Sequence, residues 1–434
     1  MNTIIKQRIE NIRHRNIPTG YQQTKIGIIP VDWKTPELNS VLTENKERNR
    51  AGRFGKEDVL SVSGEFGVTN QIELLGRSFA GVSVKDYHVV ETGNIVYTKS
   101  PLKENPYGII KLNKGNAGIV STLYAVYNCK SNEIGTYLDY YFSLDQNVNN
   151  YLRPLVRKGT KNDMKINNED VLKGYVILPP ESEIAKIIDI LGCCDRVISL
   201  KKELIAEKKK QKKALMQKLL NPDSGFRLPG FSGEWKEFEL NELGETYSGL
   251  AGKTAKDFEC GNSFFVPYLN IFENTIVDVN KLEQVDIKPH ENQNLVRYGD
   301  IFFTTSSETP EEVGMSSVFL ADVNNTYLNS FCFGFRLYDF EKLLPFFAAY
   351  YLRSDYMRII LNNLAQGATR FNISKTLLMK SKIKIPSSTV EQQAIADILS
   401  AADKEIDLLE QELAQQEQKK KSLMQLLLTG TVRV

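Results

Sequence analysis

Three stretches of this chain come close to catalytic chemistry, and each lacks a part that the chemistry needs. Residues 249–254, GLAGKT, end like a phosphate-binding loop, in which backbone amides cradle phosphates and a lysine reaches the terminal ones. That pattern requires glycine five residues before Gly252, where Tyr247 stands. Pro222, Asp223, Glu234 and Lys236 have the loose spacing of a metal-dependent nuclease, PD followed by ExK. They lie in a Pro-, Gly- and Ser-rich linker, where no rigid strand holds carboxylates around a metal. Asn105, Pro106 and Tyr107 make half of an amino-methyltransferase tetrapeptide, with one proline missing and no glycine-rich cofactor loop before them. The five cysteines form no CxxC pair, and His14, His88 and His290 are far apart, which argues against a zinc site. No Ser, His and acid set suggests itself. The reading is a chain with no catalytic residue, metal or cofactor of its own.

What remains is chemistry for binding. Arg48, Arg50 and Arg53 fall in the polar stretch NKERNRAGRFGK, and Arg157, Lys158, Lys161 and Lys165 in LRPLVRKGTKNDMKIN. Later in the chain, QGATRFNISK brings Thr369, Arg370, Asn372 and Lys375 together, and GDIFFTT supplies Thr304 and Thr305. Basic groups interleaved with small polar ones suit both phosphate contacts and base-edge readout in duplex DNA. The net charge is only +2, from 55 basic against 53 acidic residues, so any nucleic-acid face must gather its cations locally.

These stretches recur because the chain repeats itself. KKALMQKLL at 212–220 and KKSLMQLLL at 420–428 agree at seven of nine positions, 208 residues apart. The same offset pairs EIAKIIDILGCCD with EQQAIADILSAAD, and offsets of 206 and 202 pair GNIVYT with GDIFFT and VDWK with GEWK. Gly159 answers Gly367, Lys161 lies near Arg370, and Ile166 answers Ile373. Each copy is therefore a diverged globular part followed by a near-identical helical part. The difference should carry specificity, and the identity assembly.

The helical parts show a heptad seam. The second runs through Ile395, Leu399, Ala402, Ile406, Leu409, Leu413, Gln416, Lys420, Leu423 and Leu427; the first through Ile187, Leu191, Cys194, Ile198, Lys201, Ile205, Lys208, Lys212, Leu215 and Leu219. Lysines at three seam positions make the first a poor homodimer zipper. Residues 181–220 carry ten basic and six acidic side chains, and 388–428 four and eight, so charge favours pairing the two helices with each other. An antiparallel crossing near Glu203 and Gln411 sets Lys202 level with Glu412 and Lys209 with Glu405.

The expected fold is α+β: two mainly β modules joined by two long helices in an antiparallel coiled coil, with an internal pseudo-twofold. The segments are a helical extension at 1–20, a first module at 21–180, helix one at 181–220, a second module with its linker at 221–387, and helix two with the tail at 388–434. Each module is predicted to hold one amphipathic helix, at 137–152 and 342–361. The strand-like YVILPP, 175–180, corresponds to IKIP, 383–386. The longest apolar run, 343–352, has ten residues and includes a proline, too short to span a bilayer. The charged N-terminus does not read as a secretion signal, so the cytoplasm is the expected compartment.

Taken as a set, the boxes IPVDW and EW, the GxIxxT segments, the turns GTK and GATR, and the helices carrying IxDILxxxD and KKxLMQxLL resemble the DNA-specificity subunit of Type I restriction-modification systems. The resemblance covers essentially the whole chain. It implies that each module is a target recognition domain reading half of a bipartite double-stranded DNA site. It also implies that the helices act as an antiparallel spacer, that two modification (methyltransferase) subunits binding S-adenosylmethionine dock on them, and that motor-nuclease (restriction) subunits complete the complex. Residues 1–20 depart from the family pattern, and a partner contact and a cap over the coil end both suit them. The rival reading is a two-module protein-protein scaffold without DNA specificity.

Overall fold

The computed structural model describes residues 3–158 and 164–434. The chain is α+β and divides into two compact units, Met1–Lys201 with Glu412–Val434, and Lys202–Gln411. The helices that matter here are α1 (Thr3–Arg13), α2 (Asn132–Phe142), α3 (Asp145–Leu152), α4 (Glu181–Leu219), α5 (Pro345–Tyr351), α6 (Asp355–Asn363) and α7 (Thr389–Leu428). The strands are β1 (Leu42–Glu44), β2 (Ile95–Thr98), β3 (Ile109–Leu112), β4 (Tyr124–Cys129), β5 (Gly244–Ser248), β6 (Ile301–Thr304), β7 (Ser316–Val318) and β8 (Cys332–Leu337). The long helices α4 and α7 each belong to both units, so the units cut the chain differently from the segments read off the sequence.

The first unit is built on an antiparallel sheet in the order β1-β4-β2-β3. Every residue of β2 and β3 is buried, as expected where both faces of a strand are covered. Alternation sorts the side chains: Ile95, Tyr97, Ala125 and Tyr127 join the main core with α2 and α3, while Val96 and Val126 join a smaller cluster on the opposite face. The main core also takes Ile184, Ile187 and Leu191 from the start of α4, and Met424, Leu427 and Leu428 from the end of α7.

The second unit repeats the plan, with the sheet order β5-β8-β6-β7. Its core combines Phe303, Phe333 and Phe335 with α5 and α6, Leu219 and Leu220 at the end of α4, and Ile395, Ala396 and Leu399 at the start of α7.

Each predicted module helix is in fact two. The first breaks at Ser143 and Leu144, where the Ser143 hydroxyl donates to the Asp139 carbonyl at 2.7 Å and Asp145 opens the next helix. A carboxylate in a first turn faces the positive end of the helix dipole. In the second unit, Pro345 starts α5 and the Ser354 hydroxyl caps α6 by accepting from the Met357 amide. The expected strand at 175–180 is reduced to single bridges, Lys34 with Leu178 and Glu37 with Tyr175, whereas its counterpart Lys382–Pro386 pairs fully with Trp235–Glu239.

All the apolar seam residues are buried or half-buried (Ile187, Leu191, Ile198, Ile205, Leu219, Ile395, Leu399, Ile406, Leu409, Leu413, Leu423 and Leu427) except Leu215, which is exposed. Met216 packs against the second core in its place. A helix of 3.6 residues per turn drifts by about 20° per heptad from a 3.5 repeat, so the inward position moves one residue along after Lys212. The seam lysines find acids on α7. In the first unit Lys201 meets Glu412 at 2.6 Å, and Lys420 of α7 meets Asp195 of α4. In the second, Lys208 meets Glu405 at 2.6 Å, Lys209 meets Glu410 at 2.7 Å, and Lys212 meets Asp403. The expected pairs Lys202 with Glu412 and Lys209 with Glu405 are displaced by one residue. The cause is that the seam lysines lay their stems along the apolar seam and extend their charges to its edge.

Helix α1 buries no residue; Arg8 donates to the Thr431 carbonyl at 3.1 Å and lies 5.3 Å over the Tyr21 ring. Among the described residues, no helix is long and apolar enough to cross a membrane.

Candidate nucleic-acid interface

In the first unit the stretch after α3 contributes two short strands that pair antiparallel. Arg157–Lys158 pairs with Met164–Lys165, which sets Arg157 directly across from Lys165, both exposed. Lys161 lies outside the described residues. Beside these strands opens a cavity of about 410 Å³, lined by Glu44, Lys46, Lys99 and Asn168 among others. Lys99 follows the last residue of β2 and donates to the Ile166 carbonyl at 3.0 Å and to Asn168 Oδ1 at 2.7 Å. Burial lowers its pKa. Lys46 pairs with Glu169 at 2.8 Å.

The other basic stretch folds as a tight turn around Asn49–Ala51. Arg50 is exposed on it. Arg48 donates to the Asp86 carbonyl at 2.8 Å, and Arg53 pairs with Glu91 while lying 4.6 Å over the Phe54 ring. Two of these three arginines are therefore engaged within the protein. Behind them His88 is buried, and burial, with the Arg48 charge, pushes its pKa down to about 4.

The second unit builds its tip from three short strands, Ser306–Ser307, Phe371–Ile373 and Ala365–Gln366. Gln366 opposes Asn372 across the hairpin. Gly367 has φ +135°, and a Cβ there would come within 2.1 Å of the Arg370 carbonyl oxygen, so the turn requires glycine. Thr369 and Arg370 are exposed at the turn, Arg370 Nε lies 3.2 Å from Ser306 Oγ, and Asn372 Nδ2 donates to the Arg370 carbonyl at 3.4 Å. Lys375 is half-buried, 3.4 Å from Ser248 Oγ and 5.3 Å over the Phe333 ring.

One predicted contact residue, Thr304, does not reach the surface. It is fully buried at the inward-facing end of β6. Thr305 is half-buried; its amide donates to the Phe331 carbonyl at 3.1 Å and its carbonyl accepts from the Ile373 amide at 3.0 Å. The GxIxxT ending thus closes with a threonine buried beneath the tip.

Sequence reasoning missed a cavity of about 870 Å³ beside this hairpin, lined by Tyr268, Leu269, Phe272, Phe331, Glu308 and Arg370 with four others. Tyr268 and Phe272 stack at 5.9 Å, and the Tyr268 hydroxyl donates to the Ser306 carbonyl at 3.2 Å. Leu269 and Phe331 are 62% and 65% exposed, large values for such side chains. A signal was present in SFCFGFRLY: Phe331, Phe333 and Phe335 alternate, but only the last two fall within β8. Among the described residues no group of three or more His, Cys, Asp or Glu is placed to hold a metal ion.

Residues 232–418 match the family model of the Type I restriction modification DNA specificity domain. The chain is 29% identical over 272 residues to the Type I restriction enzyme MjaVIII specificity subunit of Methanocaldococcus jannaschii, a match covering 59% of this chain and 62% of that one. It is 26% identical over 450 residues to the MjaX specificity subunit of the same organism, covering 96% of this chain and 97% of that one. A solved chain, described under complex assembly and conformational transition of the type I R-M system, shares the fold with a TM-score of 0.58 at 17% identity, covering 93% of this chain and 99% of that one. The sequence similarity is thus to specificity subunits of Type I restriction-modification systems, with residues 232–418 matched to their DNA specificity domain.

Proposed function

We propose that the chain reads a bipartite double-stranded DNA target, one half-site per globular module, and directs two modification subunits and the motor-nuclease subunits to it without catalysing either reaction. The observation that carries this reading is one sheet order occurring twice, β1-β4-β2-β3 and β5-β8-β6-β7, below tips whose side chains differ. A common scaffold with divergent tips suits two different half-sequences. The DNA contacts proposed are Arg50, Arg157, Lys158, Lys161 and Lys165 in the first half, and Thr369, Arg370, Asn372 and Lys375 in the second. Arg48 and Arg53 join them where a phosphate competes with their internal partners.

On this reading α4 and α7 form the antiparallel coiled-coil spacer of a pseudo-twofold molecule, supported by the four pairs Asp195 with Lys420, Lys201 with Glu412, Lys208 with Glu405 and Lys212 with Asp403, whose numbering falls on α7 as it rises on α4. S-adenosylmethionine binds on the modification subunits, and the complex works in the cytoplasm. The proposed segments are 1–20, 21–180, 181–220, 221–387 and 388–434. The test is binding of the full-length chain, with any copurifying methyltransferase, to its selected target across a salt series. The logarithm of the affinity should fall linearly with log salt, and the affinity should exceed that for a scrambled duplex by at least about 10³. Equal affinity for both duplexes would favour the scaffold reading.

A further inference from the structure

The two tips differ in kind at one topological position. Past the end of β2 the first cavity is polar, with Lys46, Lys99 and Asn168 tied to neighbouring groups. Past the end of β6 the second cavity presents two large apolar side chains, Leu269 and Phe331, left open beside Arg370 and Thr369. Nothing in the stability of the unit calls for that exposure, since Phe333 and Phe335 on the adjoining strand β8 already fill the core.

In the major groove, thymine alone offers an apolar group, its C5 methyl, while guanine offers two acceptors to a single arginine. Resting on the DNA reading above, we propose that Phe331 and Leu269 form the contact for a thymine methyl in the second half-site, with Arg370 reading an adjacent base edge and placing the tip in register. The second half-site then contains at least one T·A pair that the protein senses through its methyl group. In the first unit Leu123, just before β4 as Phe331 is just before β8, is also exposed, but among the described residues it does not line the polar cavity beside Lys99. Arg370 and Phe331 line one cavity, so a methyl held by Phe331 lies within reach of the same groove face that Arg370 addresses.

The experiment uses a duplex selected from a random library by the full-length chain, with modification subunits present where binding requires them. Each thymine of both half-sites is replaced in turn by deoxyuridine, which removes only the methyl. One position in the second half-site should lose roughly fourfold in affinity, the worth of one buried methyl. The variants F331A and L269A should bind thymine and uracil duplexes there equally, while keeping the preference for the first half-site and the wild-type melting temperature. Both side chains are mostly exposed, so their truncation leaves the core intact. A second half-site without thymine, or variants as methyl-sensitive as the wild type, overturns the proposal and leaves the DNA reading standing. A wild-type chain with no preference over a scrambled duplex overturns both. Fluorescence of 2-aminopurine beside the sensed thymine should stay quenched. A rise would mean that Phe331 wedges between bases, which overturns the edge contact.

Discussion

The bases of the two units are nearly interchangeable, and their tips are not. In the first unit Lys420 pairs with Asp195, whose carboxylate accepts from the Tyr140 hydroxyl at 2.7 Å, and the same lysine lies 5.4 Å over that ring. In the second, Lys212 pairs with Asp403 and lies 5.9 Å over the Tyr350 ring, with Asp403 beside the Tyr350 hydroxyl. A second motif recurs as well. Glu183 is buried under Arg433, as Glu391 is under Arg227, and in each case the arginine comes from the segment that follows the other long helix. Side chains at a base must meet two helices and a sheet at once, which leaves one workable arrangement. Tip residues answer only to their own turn and to solvent, and are free to diverge.

Substituting Glu183 or Glu391 by Ala is the most severe way to break this comparison. E391A leaves the Arg227 guanidinium without its carboxylate, at a cost of about 3 kcal/mol in urea melts, whereas Arg433 keeps its pair with Asp32 in E183A, so that second cost should be smaller, by no more than about 1 kcal/mol. A large disparity would mean that the bases are alike in geometry only. Next comes acid, which should separate the units. With a folded pKa of about 4 against 6.5, His88 takes up its proton more readily when unfolded, so the first unit loses stability as pH falls from 6.5 towards 4. The loss should reach about 2–3 kcal/mol, and H88N should flatten the slope between pH 6.5 and 4.5. In the same experiment Glu183 holds its stabilisation until lower pH. Burial opposes its ionisation, but Arg433, the Trp33 indole and the Val434 amide outweigh that and keep its pKa below 4.5, so its contribution is complete above that value and fades below it.

At the tips, R370A should relax one position of the second half-site by about 1–3 kcal/mol, or lower the salt slope by about one where the contact is to phosphate, and K165A should act only on the first half-site. Methylation mapping of both variants would expose any cross-effect, which separate tips do not permit. The smallest expected effect is at the seam. Lys208 keeps 29% of its side chain exposed in its pair with Glu405, so K208M should change stability by under about 1 kcal/mol, in either direction. A larger loss would show that seam charge, and not seam packing, holds the helices.

The amino-acid sequence alone determined the repeat, the two long helices and nearly every inward position on them, because a helical face is written by spacing within a few turns. It also determined that Gly367 and the polar residues after it make a turn, since the turn's needs are local. Which lysine meets which acid was decided only in the tertiary structure, where seam stems must lie along a packed partner before their charges can reach its edge; the pairs moved by one residue and Leu215 gave way to Met216. Thr304 is buried because β6 is covered on both faces, which no period within four residues reveals. The apolar mouth of the second tip joins Leu269, Phe331 and Arg370 from three segments about 40 to 100 residues apart in sequence, brought together by the sheet order. Such a site has no period and no motif. It exists only once the core beneath it has packed.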